Sequence, residues 1–322
     1  LIGDLTIEQP SNNSSLILNT QSIFGGGEIN TKFLNAEINW LDKIWKVNKD
    51  NQITISKELL KFKDVEISND FDLIALEGII SNDQSSELYL EITNFSLQNI
   101  ESVLSRKWDG ILSFIGKIKR LNVEEPWHLD GGFNLLGLQL DEIKIGDFQG
   151  VIDWNSKENG LYTDIKMKSS SNGGGRLFGY VFPSNQEDQL SLNVEFKEMR
   201  INWLVPFFQK KISRIDGFAS GRLRIEGLLD NLKFNGQAAL SQGVATVDYL
   251  NTNYKFSGIT RFDQNIIYFD QIEIFDRFGS EGFVTGQLTH KNTKVMTLDV
   301  KVDFQNLELL NTSRNQNILY YG

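Results

Sequence analysis

The chain has 322 residues, 40% hydrophobic and 23% charged, the composition of a folding chain rather than a disordered one. A net charge of −10 disfavours nucleic acid as a partner, since a phosphate backbone selects a basic face. With no cysteines, disulfides and thiolate metal sites are excluded.

The chain opens at Leu1, and no charged segment leads into an apolar one. No run of about 18 apolar residues occurs, so no membrane-spanning helix is expected within it. It closes on Tyr320-Tyr321-Gly322, which looks like the start of a strand. These features read as an internal fragment, with any signal or membrane anchor lying outside it. In chain order, Gly25 to Gly27 predicts a tight turn or bulge, and Leu41 to Val47 and Lys57 to Phe62 carry faint helical stripes. Lys63-Asp64-Val65-Glu66-Ile67 and Leu88-Tyr89-Leu90-Glu91-Ile92 alternate with period two, as strands with one wet face do. A short helix capped by Asn94 or Ser96 is expected to run to about Leu104, with Leu97, Ile100, Val103 and Leu104 on one face.

Gly110 to Lys117 superficially resembles a phosphate-binding loop, but Ile118 stands where Ser or Thr is required, and a strand is the better reading. Asp141-Glu142-Ile143-Lys144-Ile145 alternates again, and Gly173 to Gly175 predicts another turn or bulge. Ile201, Leu204, Val205 and Phe208 form a second helical stripe, interrupted by Pro206. Both stripes suggest plugs or lids packed on a sheet. Arg222 to Glu226, Gln271 to Ile274 and Leu298 to Phe304 complete the alternating runs. His128 and His290 lie far apart, in no metal or triad spacing, and are expected at the surface or in turns.

Internal repetition is the next signal. Leu88-Tyr89-Leu90-Glu91-Ile92, Leu192-Asn193-Val194-Glu195-Phe196 and Leu298-Asp299-Val300-Lys301-Val302 begin 104 and then 106 residues apart. Leu97, Ile201 and Leu307 each fall nine residues after their strand start. Leu76-Glu77-Gly78, Leu177-Phe178-Gly179 and Val284-Thr285-Gly286 hold equivalent places upstream. Phe62, Val65 and Ile67 match Phe269, Ile272 and Ile274 at a constant offset of 207. Three units follow: 1–110, 111–216 and 217–322. Each is a half-open sheet that cannot bury its apolar face alone, so stacked copies would continue that face as one strip.

The last third carries a family likeness. Gly221-Arg222-Leu223-Arg224-Ile225-Glu226-Gly227 is followed by Asn231-Leu232-Lys233-Phe234-Asn235-Gly236 and by Tyr249-Leu250-Asn251-Thr252-Asn253-Tyr254. Then come Ile272-Glu273-Ile274-Phe275-Asp276-Arg277-Phe278-Gly279 and Asn306-Leu307-Glu308-Leu309-Leu310-Asn311-Thr312. This order resembles the C-terminal conserved region of the translocation and assembly module TamB family, within the AsmA-like superfamily of bridge-like lipid-transfer proteins. Leu232 departs from it, standing where the family usually has proline.

The resemblance implies an all-β fold: an elongated U-shaped sheet (β-taco) of mainly antiparallel strands with an apolar groove and a few short helices. It implies a protein of the bacterial envelope, anchored in the inner membrane and crossing the periplasm. Its partners would be phospholipid acyl chains and an outer-membrane β-barrel of the Omp85 type. No cofactor, metal, nucleic acid or catalytic residue is expected. The groove-lining candidates are Leu88, Leu90, Ile92, Leu192, Val194, Phe196, Leu223, Ile225, Ile272, Ile274, Phe283, Leu288, Leu298, Val300 and Val302. Two other readings stay open: a scaffold that offers strand edges to an outer-membrane barrel, and a β-solenoid enzyme acting on polysaccharide.

Overall fold

The computed structural model describes residues 2–9, 14–40, 43–103, 107–141, 143–168, 173–183, 185–208, 211–291 and 295–312. The fold is all-β, with twenty strands among the described residues. The chain divides into two compact units: Leu1–Glu142 with Phe148–Ser156, and Ile143–Asp147 with Lys157–Gly322.

The first unit holds β1 (Ile2–Gln9), β2 (Ser14–Gly25), β3 (Glu28–Trp40), β4 (Lys43–Val47), β5 (Gln52–Ile55) and β6 (Leu59–Ser68). It continues through β7 (Leu73–Ser81), β8 (Ser86–Ser96), β9 (Trp108–Arg120) and β10 (His128–Leu140), each strand pairing antiparallel with the next from β6 onward. β4 and β5 lie end to end, both paired to β3 on one side and β6 on the other. Asn51, fully buried, fills the gap between them: its amide donates to the Phe33 carbonyl at 2.9 Å and accepts from the Phe33 N–H at 2.8 Å. A side chain thus stands in for a missing rung of the ladder.

β11 (Ile143–Asn155) contributes to both units. The second unit runs through β12 (Gly160–Lys168), β13 (Gly174–Val181), β14 (Leu190–Arg200), β15 (Ile212–Leu228) and β16 (Asn231–Val247). It then continues with β17 (Thr252–Gln264), β18 (Ile266–Phe275), β19 (Glu281–Lys291) and β20 (Val295–Phe304). Each strand from β12 to β20 pairs antiparallel with its sequence neighbour.

The repeats are written into the backbone. The Phe62, Val65 and Ile67 set and its partners 207 residues later both carry a bulge, with Asp64 at φ 49° and Gln271 at φ 55°. Asn94 and Glu198, 104 residues apart, are both positive-φ bulge residues, and the N–H of each donates to a serine hydroxyl of the next strand, Ser113 and Ser220. The three marker glycines Gly78, Gly179 and Gly286 adopt φ 135°, 141° and 150°. A Cβ there would lie 2.1 to 2.2 Å from a carbonyl oxygen of the neighbouring strand, so only glycine fits.

Four expectations are corrected. Leu41 to Val47 and Lys57 to Phe62 are not helical: Lys43–Val47 form β4, and Leu59 to Phe62 begin β6 after a bend at Lys57 and Glu58. Their stripes are short apolar runs that periodicity alone cannot assign. The repeat-unit borders after residues 110 and 216 fall inside β9 and β15. The alternation around Asp141 becomes a strand only from Ile143, since Asp141 is a turn residue at φ 49°. Gly173 sits at a close approach of backbones, where a Cβ would lie 1.9 Å from the Glu198 carbonyl oxygen. Both expected plugs exist, as 3₁₀-helices over Leu97–Val103 and Asn202–Phe207. Leu104 and Tyr320 to Gly322 lie outside the described residues.

Candidate functional site: the apolar face

Cross-strand partners share a face of a sheet, so the register places each candidate residue. In the second unit Ile165, Leu177, Val194, Leu223, Gly236, Phe262, Ile267, Leu288 and Leu298 form one continuous row across nine strands. The next row runs from Met167 through Gly175, Phe196, Gly221, Ala238, Thr260, Phe269 and Gly286 to Val300. Leu192 faces Ile225, and Ile272 faces Val284 and through it Val302. In the first unit Leu88 faces Gly78 and Ile118, Leu90 faces Leu76 and Gly116, and Ile92 faces Ile74 and Phe114.

Eleven of the twelve candidates in the second unit therefore share one face, as do the three in the first. Phe283 does not. It pairs with Glu273 and Asp303 on the polar side, one residue out of phase with Val284. Its apolar character, not its position in the alternation, made it a candidate.

The face is only partly covered. Val194, Leu223, Ile225, Leu88, Leu90 and Ile92 are half-buried, and Leu298 and Val300 on β20 are exposed. Large side chains lie flat along the sheet: the Phe114 ring covers Gly116 and Gly131, and Phe256 covers Gly243. Such rings coat a sheet thinly where a packed core would have them interdigitate with a second layer.

Two plugs cover one end of the second unit's rows. The 3₁₀-helix after β14 brings Ile201, Leu204, Val205 and Phe208 onto Phe196, Ile215, Ala219 and Ala238. The segment after β20 places Leu307 against Ile272 and Ile274. Ile201 and Leu307 are repeat equivalents and are both buried, at 5% and 7% exposure.

The second plug is strapped down by residues from three blocks that the family likeness singled out. The Asp276 carboxylate accepts from the N–H groups of Phe278, Ser280 and Glu308 at 2.8 to 2.9 Å. Arg277 pairs with the Glu308 carboxylate at 2.7 Å, and the Tyr254 hydroxyl donates to the Glu308 carbonyl at 2.7 Å. Asn311 donates its N–H to the Leu250 carbonyl at 2.9 Å. Burial works to raise the Asp276 pKa, but the backbone donors of Glu308, Ser280 and Phe278 outweigh it and hold the carboxyl below its ordinary value.

The opposite face is mainly polar, although Ile115 and Ile259 are exposed on it. Arg176 forks onto Asp164 at 2.8 and 2.6 Å, and Lys301 pairs with Asp303 at 2.8 Å. A shallow concavity lined by Ser220, Gly221, Arg222, Gln237, Ala239 and Ile259 opens on this side. Asp130 and Asp153 are hydrogen-bonded to each other beside Lys119. Burial and the Asp130 charge raise the Asp153 pKa. Glycosidase carboxyls stand about 5 Å or more apart, so this touching pair lends no weight to the polysaccharide reading. Among the described residues no His, Asp or Glu group is placed to hold a metal, and no helix is long and apolar enough to cross a membrane.

Both histidines are buried, at 8% and 5% exposure, against the expectation of surface or turn positions. His128 stacks on Trp154 with ring centroids 5.0 Å apart, a contact between strands that sequence spacing does not reveal. His290 packs edge-on against Phe234 at 5.5 Å on the apolar face. Its pKa is lowered by burial, with the nearby Gln264 carbonyl acting the other way but not in hydrogen-bonding geometry.

No family model, curated protein or solved structure matches the chain.

Proposed function

We propose that this chain binds lipid acyl chains along its apolar face and serves as a conduit for phospholipid across the bacterial envelope, within the TamB-like family that its C-terminal third resembles. The observation that carries this reading is a continuous row of apolar residues and one glycine, Ile165 to Leu298, whose members are half-buried or exposed except the buried Leu288. Each methylene laid on such a row is worth up to about 0.8 kcal/mol, so a chain of many methylenes is held only if the row is unbroken. The headgroup stays in water. Charges on the polar face solvate the sheet and take no part in transfer.

The test is movement of a fluorescent phospholipid between donor and acceptor vesicles. The chain accelerates it, Leu223→Asp slows it at least about tenfold by placing a charge in the row, and Lys301→Ala on the polar face leaves it unchanged. Equal rates for Leu223→Asp and the unaltered chain would end the conduit reading.

A second reading draws on β20, which among the described residues pairs only with β19 and leaves Leu298 and Phe304 exposed. An unpaired edge of this kind can accept a strand from an outer-membrane barrel and so support assembly. Crosslinking from Lys301 to a barrel protein, in a preparation free of lipid, would favour it over the conduit.

A further inference from the structure

At the end of the rows remote from both plugs, the apolar face carries an unsatisfied polar group. His290 lies beyond Leu288 on β19, 5% exposed, with the Gln264 carbonyl near its ring but neither ring nitrogen in full hydrogen-bonding geometry. Its backbone N–H donates to the Asn265 carbonyl at 2.9 Å, which puts the β17–β18 turn beside it, and the Asn265 side-chain oxygen is also buried without a partner. Polar atoms removed from water are nearly always paired, so unpaired ones on His290 and on the turn residue its backbone bonds to point to an absent partner. Next to this spot lie Phe234 and Ile225, both half-buried, which offer a surface for hydrocarbon over the buried Leu288. One molecule that satisfies both demands is an amphiphile, with its chain on the rows and its head at the histidine.

We propose that His290 and Asn265 form the headgroup anchor of an anionic amphiphile site. The His290 ring donates an N–H to a phosphate oxygen, the Asn265 oxygen accepts from a head hydroxyl, and the acyl chain runs over Leu288, Phe234 and Ile225. A charge-assisted bond in so dry a place is stronger than one between neutral groups, which makes the anion the preferred head. The proposal rests on the acyl-chain reading of the face and adds to it a fixed point for the head.

The experiment uses the whole chain and dodecanoyl lysophosphatidylglycerol below its micelle concentration, with glycerol 3-phosphate as head without chain and monododecanoyl glycerol as chain without phosphate. The sequence has 2 histidines, so the ring resonances of His290 are identified by their loss in His290→Leu. The expected result is a saturable shift of those resonances with the lysolipid and none with glycerol 3-phosphate. His290→Leu should bind the lysolipid about tenfold more weakly while binding monododecanoyl glycerol normally, and His290→Gln, which keeps a donor, should lie between them. Undiminished lysolipid binding by His290→Leu would overturn the anchor, as would a ring shift with glycerol 3-phosphate alone, which marks a free-phosphate site. If monododecanoyl glycerol binds but lysolipid binding ignores His290, the anchor fails and the acyl-chain reading survives. If neither amphiphile binds the unaltered chain, both fail.

Discussion

Val194→Asp separates an open apolar face from a closed core. Val194 sits mid-row between Leu177 and Leu223 and is half-buried, packed from one side against the Phe196 cluster. A fully buried valine contributes about 1.5 to 3 kcal/mol, so losing a half-buried one costs about 1 kcal/mol. On an open face the new carboxylate keeps much of its water, and removing strand propensity adds up to about 1 kcal/mol. The expected loss is therefore about 2 kcal/mol, which a domain of ordinary stability survives. In a closed core the carboxylate would be stranded unpaired, at a cost of about 3 to 5 kcal/mol or more. Urea unfolding with matched slopes measures the difference. A loss above about 5 kcal/mol, or failure to fold, would refute the open face.

Three further outcomes follow from particular contacts. Gly286→Ala should destabilise by about 2 kcal/mol or more, because its Cβ meets the Asp299 carbonyl oxygen at 2.2 Å, while Gly279→Ala, with nothing within 4 Å, should pay only the cost of its φ of 88°. Comparable midpoints for the two in urea would show that the crowding is not felt. Asn51→Ala strands both backbone groups of Phe33 and should cost about 2 to 4 kcal/mol, whereas an unchanged midpoint would mean that β4 and β5 close the gap themselves. Because the Asp276 pKa is lowered by folding, its contribution is present above the unfolded value of about 3.8 and is lost as pH falls through the lower folded value. Hydrogen exchange at the Glu308 N–H should accelerate in Asp276→Ala at neutral pH, and in the unaltered chain only in strong acid; equal protection in Asp276→Ala would release the strap from this carboxylate.

The sequence revealed the sheet wherever one face is apolar and the other charged, as in Leu298 to Phe304, because period two is then explicit. The 207-residue offset was legible for the same reason, and it extended to a pair of bulges that no propensity announces. Strands of 17 residues, β15 and β16, were harder to see. Gly217 and Gln242 bulge there and throw the alternation out of phase, so one strand reads as two runs. Leu41 to Val47 misled because a few apolar residues fit either period. The Asp276 clasp and the His290 cluster could not be foreseen in their details, since both depend on segments brought together by the ladder. Yet Asp276-Arg277-Phe278-Gly279 and Asn306 to Thr312 stand out as motifs in the sequence alone.

The central claim is that the apolar face holds acyl chains, and mass spectrometry of the chain purified without detergent tests it most directly. The account predicts phospholipid in stoichiometric or greater amount, sharply reduced by Leu223→Asp and unaffected by Lys301→Ala. A folded chain carrying no lipid, and gaining none when incubated with vesicles, would contradict it.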